Sequence, residues 1–159
     1  MKPLITSQCL DLAYSYANMM SGCRKVAVGS AIVKDGVIIG MGANKAIPDL
    51  CNSPMGCLRV AKYGNDSKQH REPADCRAIH SEIDAICMVA KAGISTDGAS
   101  IYVTRYPCES CAKAIVAAGI KTVYYGGTTK ISPATQEIFE TYGVDCYFID
   151  NWKEDHSDR

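Results

Sequence analysis

The stretch RAIHSEIDAI, Arg77 to Ile86, sets His80 and Glu82 two residues apart in front of an apolar pattern, in a chain with three histidines. Further on, Pro107-Cys108-Glu109-Ser110-Cys111 opens a second helical pattern. At a helix start, the Cys-x-x-Cys spacing turns both sulfurs towards one ion, and the helix N-terminus favours thiolate. With His80 these make three protein ligands, the number that a catalytic zinc keeps when its fourth position is left to water. Water on such an ion has its pKa lowered to about 7, and a neighbouring group must take its proton. Glu82 is placed to do so without ligating the metal. Taken singly, His-x-Glu carries almost no information, and Pro-Cys-x-x-Cys is shared with redox pairs. A thioredoxin-like pair belongs after a first strand with no partnering histidine; here it falls late and follows a helix-borne one. A purely structural zinc would add a fourth Cys or His and leave Glu82 without a role.

The 159 residues, 47% hydrophobic and 21% charged, have the balance of a single globular domain able to bury a core without staples. Seventeen basic and seventeen acidic side chains cancel, which gives no electrostatic footprint for nucleic acid. No apolar run is long enough to span a bilayer, and MKPLITSQCL lacks the basic-then-apolar order of a signal peptide. Nine cysteines without an export signal read as metal ligands or core residues of a reducing compartment, hence a cytoplasmic protein. Cys9, Cys87 and Cys146 lie within apolar patterns and are expected to be small buried hydrophobes.

The elements that must position these residues follow from periodicity. Ile5 to Met20 has helical spacing. Val26 to Met41 holds two β-branched runs about Asp35-Gly36, a strong hairpin signal. Asn44 to Asp75 is rich in Pro, Gly, Asn and charge, a length of loop uncommon unless something organises it. A helix follows from His80, with Ile83, Ile86, Cys87 and Ala90 on its apolar face and Gly93 as its stop. Strand Ser100–Thr104, helix Cys108–Ala118, strand Lys121–Tyr125, helix Pro133–Tyr142 (Ser132 as N-cap) and strand Asp145–Ile149 complete the order. A leading hairpin followed by alternating strands and helices predicts an α/β, three-layer α/β/α fold. Its five-stranded mixed sheet has an antiparallel N-terminal hairpin and parallel later strands. The domain is expected over 1–150, with a 44–76 insert and a polar, frayed tail at 151–159.

The ordered pair H-x-E and P-C-x-x-C is the signature of zinc nucleobase deaminases. With VGSAIVKDG, GANKAIP, HSEIDAI and YVTRYPCESCAKAIVAAGIKTVYY, the chain resembles the deoxycytidylate (dCMP) deaminase family of the cytidine deaminase-like superfamily over nearly its whole length. The resemblance implies zinc held by His80, Cys108 and Cys111, proton shuttling by Glu82, and hydrolysis of dCMP to dUMP and ammonia, which supplies the dTMP precursor. Asn44 matches an asparagine that contacts the nucleotide. Cys51, Cys57 and Cys76 resemble the ligands of a second, structural zinc, with Cys23 and His70 as further candidates; the plain alternative is scattered free thiols. A 5′-phosphate needs cations, for which Arg24, Lys25, Lys45 and Lys130 are candidates. The family also implies a homo-oligomer (hexamer, or dimer or tetramer) and, as an option, allosteric dCTP and dTTP with Mg2+.

The chain departs from the family pattern at several positions. Ser81 stands for alanine, Asp84 for asparagine, and Ala43 and Lys45 for the tyrosine and glycine about Asn44. Thr128-Thr129-Lys130 replaces a tyrosine followed by a basic residue. These departures keep open a deaminase of another small base, nucleoside or modified nucleotide. A non-catalytic zinc-binding protein is a third reading, against which the intact Glu82 argues.

Overall fold

Asp35 (φ 51°) and Gly36 (φ 76°) both enter the left-handed region, as a two-residue hairpin turn requires. They join β1 (Gly29–Lys34) to β2 (Val37–Ala43), which pair antiparallel from Gly29↔Ala43 to Lys34↔Val37, with a bulge between Ile32 and Val33. This computed structural model describes residues 6–23, 25–46, 51, 57–64, 76–127, 131–150 and 152. β3 (Ser100–Val103) pairs antiparallel with β1; β4 (Thr122–Tyr125) and β5 (Asp145–Phe148) follow in parallel. The sheet order is β2-β1-β3-β4-β5, the mixed sheet that the sequence predicts.

Helix α1 spans Thr6–Met20, α2 Leu58–Tyr63, α3 Ser81–Lys91, α4 Glu109–Ala117 and α5 Pro133–Tyr142. Strand alternation splits the apolar residues between two layers. Ile32, Ile101, Val103 and Val123 join Ala85 and Val89 of α3, Ala112 and Ile115 of α4 and Phe139 of α5 in one core. Ala31 and Tyr102 point the other way, against Cys9, Leu10 and Ala13 of α1 and against Trp152. Each fully buried Ile, Val or Phe contributes about 1.5–3 kcal/mol. α5 begins with Ser132 at the N-cap position and Pro133 after it, and ends at Gly143, whose φ of 64° gives a left-handed cap.

Four features differ from the sequence reading. Within the insert, where the sequence suggests no helix or strand, α2 forms. The buried side of α3 is Ser81, Glu82, Asp84, Ala85 and Val89, not the stripe through Cys87 and Ala90, which are exposed. The cause lies in β2. A Cβ on Gly42 would overlap the Ser81 carbonyl and the Ala85 amide, and one on Gly40 would overlap Val89. Two glycines on one strand face let α3 settle almost onto the backbone, so its small and polar residues turn inward. Of the three cysteines expected in the core, Cys9 is buried, Cys146 half-buried and Cys87 exposed. Finally, Trp152 is buried despite its polar surroundings, donating its indole N–H to Asp11 Oδ1 at 2.8 Å.

Candidate active site

The site forms where two helices begin. His80 is the N-cap residue of α3 and Cys108 that of α4, both with extended backbone. Cys111 lies in the first turn of α4 and Glu82 in the first turn of α3. The positive ends of both helix dipoles therefore face the same small volume and favour thiolate and carboxylate there. His80 Nδ1 lies 3.5 Å from Cys108 Sγ and 3.4 Å from Cys111 Sγ, and the three donor atoms fall within 4.8 Å of one another. A tetrahedral zinc with bonds of about 2.3 Å to sulfur and about 2.0–2.1 Å to nitrogen sets N···S separations near about 3.6 Å. The residues present thus fit the ion their types suggest. Among the described residues no other group of three His, Cys, Asp or Glu side chains converges in this way.

Electrostatics agree with the geometry. Hydrogen bonding from Cys111, reinforced by His80, pulls the Cys108 thiol down to about 4. The Cys108 thiolate, with Cys76, in turn pushes His80 up to about 10. Cys111, sharing a proton with Cys108 and buried, is held well above the ordinary thiol range. The cluster thus carries a proton among three donors in a place suited to a cation. Burial raises the pKa of Glu82, which is 4% exposed. Its Oε2 accepts from Ser81 Oγ at 3.1 Å, and Ser81 Oγ lies 2.7 Å from Ser30 Oγ on β1. With the Ser81 proton committed to Glu82, Ser30 is the donor of the second bond. The sequence gives no hint of Ser30, which reaches the site only through strand pairing and the close seat of α3.

Asn44 sits 7% exposed at the end of β2. Its Oδ1 accepts from Ser21 Oγ at 2.6 Å and from the Val28 amide at 2.9 Å, while Nδ2 donates to the Val26 carbonyl at 2.8 Å. Most of the side chain is thus spent on fixing Ser21, Val26 and Val28 against the strand, which leaves one amide hydrogen to offer a ligand. Lys45 is taken up by Asp84, whose carboxylate, 2.8 Å away, pushes the ammonium pKa up. Lys25 is exposed; Arg24, Lys130 and His70 lie outside the described residues. Cys23, Cys51, Cys57 and Cys76 are half-buried free thiols, no three of which converge. The Cys76 thiol instead hydrogen-bonds His80, which lowers its pKa.

Fold and site together define a zinc-dependent hydrolytic deaminase with the cytidine deaminase-like fold. Residues 5–127 match the cytidine and deoxycytidylate deaminase zinc-binding region. The chain is 32% identical to the deoxycytidylate deaminase of Enterobacteria phage T2 over 178 aligned positions, covering 92% of this chain and 94% of that protein. It is 41% identical over 127 residues to ComE operon protein 2 of Bacillus subtilis (strain 168), covering 79% of this chain and 61% of that protein's length. The crystal structure of dCMP deaminase from cyanophage S-TIM5 in complex with dCMP and dUMP superposes with a TM-score of 0.71 at 26% identity, covering 94% of this chain and 99% of that one. The chain belongs to the cytidine and deoxycytidylate deaminase family.

Proposed function

We propose that this chain hydrolyses the exocyclic amine of dCMP, giving dUMP and ammonia. The observation that carries the reading is the convergence of His80 Nδ1 with the Cys108 and Cys111 sulfurs beside a buried Glu82. His80, Cys108 and Cys111 would hold zinc, which when bound would supply a Lewis acid able to bring a water's pKa towards about 7. Glu82 accepts a proton on its carboxylate and returns it to the departing amine. Burial raises its pKa, which favours its holding that proton between the two transfers. Ser81 fixes one oxygen of that carboxylate. Asn44 forms a wall with one amide hydrogen for the nucleotide. Lys25, Arg24 and Lys130 are the candidate cations for the 5′-phosphate, and Lys45 is bonded to Asp84.

The deciding experiment measures ammonia release from dCMP, CMP, dCTP, deoxycytidine, cytosine, 5-substituted dCMP, guanine and adenosine, with zinc counted on the same sample. Turnover confined to dCMP is the expected result. Turnover of another member alone overturns the substrate while keeping the deaminase. No turnover from zinc-loaded protein overturns the enzyme reading. The metal count also decides the structural zinc proposed for four of Cys23, Cys51, Cys57, His70 and Cys76: two ions per chain support it and one removes it. A homo-oligomer in the cytoplasm completes the reading. Its support is the exposed apolar surface, Met19 at 75% and Tyr142 at 61% among it, and sedimentation tests it.

A further inference from the structure

Two positions at which the chain departs from its family pattern, Lys45 and Asp84, meet in the structure. Lys45 Nζ donates to Asp84 Oδ1 at 2.8 Å, and the Ala43 amide donates to Asp84 Oδ2 at 3.1 Å. The carboxylate is nearly buried, its residue 7% exposed. One oxygen therefore holds the residue before Asn44 and the other the residue after it. Directly across, the Lys45 amide donates to the Ile79 carbonyl at 3.0 Å and the Ile79 amide donates back at 2.9 Å, one residue before His80. The segment 43–45 is thus gripped by the helix that carries Glu82 and by the chain leading into the metal ligand.

The chemistry of the two positions is linked. An asparagine at 84 could accept from Ala43, but its amide NH2 would then face the Lys45 ammonium, donor against donor. A glycine at 45 would strip the Asp84 carboxylate of its cation, and a buried carboxylate without its partner is costly. Either departure alone is unfavourable, while together they give each Asp84 carboxylate oxygen a donor.

We propose that Asp84 and Lys45 are a coupled positioning pair that fixes the Asn44 segment against α3 and so sets how tightly the nucleotide is held. The proposal rests on the deaminase reading and on Asn44 lining the nucleotide. The test is a cycle of Asp84→Asn, Lys45→Gly and the double variant, which restores the family pattern. It reads kcat and KM on the nucleotide that the wild type turns over, together with zinc content and urea midpoint. Each single change is expected to raise KM about 10-fold with kcat nearly unchanged and zinc retained, and the double to recover most of that loss. KM effects that simply multiply in the double overturn the pairing. A fall in kcat or zinc with KM unmoved overturns the positioning role. Should Asp84→Asn not fold, Lys45→Arg is expected to keep the wild-type KM and Lys45→Met to raise it; equal KM in both overturns the proposal. Absence of wild-type turnover on any nucleotide is a failure of the deaminase reading, seen before a variant is made. The coupling of the two residues is then read from the urea midpoints of the cycle, and midpoint losses that simply add overturn it.

Discussion

Glu82 and the two serines behind it form a short buried polar line whose members depend on one another. Glu82→Gln keeps the volume and removes the proton carrier. It is expected to retain zinc while kcat falls by at least about 10²-fold, a split read by steady-state kinetics and metal analysis on one preparation. Ser81→Ala installs the residue typical of the family, yet here it leaves the Ser30 hydroxyl, 0% exposed, without its partner. An unsatisfied buried hydroxyl costs about 1–3 kcal/mol, so the urea midpoint should drop and the Ser30→Ala/Ser81→Ala double should recover part of the loss. The convergence of His80, Cys108 and Cys111 beside Glu82 is legible in the sequence because each motif is local: a few residues at one helix start fix the relative positions of their side chains. Ser30, and the meeting of Lys45 with Asp84, are not, because strand register and helix docking bring together residues that lie far apart in the chain.

At the scale of elements, the position of α3 depends on β2. Gly40 and Gly42 present bare backbone to the helix, and Ser81 and Asp84 hydrogen-bond to the strands because nothing stands between. Gly42→Ala puts a methyl group into the Ser81 carbonyl and the Ala85 amide. Overpacking of this kind costs about 1–3 kcal/mol, and displacement of α3 should reduce turnover as well. An unchanged urea midpoint together with wild-type kcat would show that the close seat is dispensable. The same feature explains why hydrophobic periodicity misread this helix. Its stripe of Ile83, Ile86 and Cys87 is the most apolar, but the glycines of the strand draw Ser81, Ala85 and Val89 inward instead, leaving Ile83 and Ile86 half-buried and Cys87 exposed. The existence and order of the strands and of the longer helices were read correctly, since each is flanked by strong turn signals. The short α2, with a single helical turn or two and no capping side chain, offered no such signal.

For the whole molecule, alkaline pH should be the weak side. Burial raises Cys146 from 9.0 to about 11, and raises Tyr102 and Tyr106 from 10.0 to about 12. The folded chain holds these protons more tightly than the unfolded chain. The stability they contribute is therefore complete below about pH 9 and is lost as the pH climbs through the folded values. Urea midpoints should stay level on this account up to about pH 9 and then fall, with Tyr102→Phe flattening the decline above pH 10; an unaltered decline in that variant would remove Tyr102 as a cause. The polar company of Trp152 concealed its part in the layer beneath α1, where Tyr14 meets its ring edge to face at 6.1 Å. Its hydrogen bond to Asp11 spans 141 positions of the sequence. During synthesis, then, the first helix emerges early and waits for a partner made near the end. All three donors of the candidate metal site are already present when Cys111 appears, before β4, β5 and Trp152 have been made.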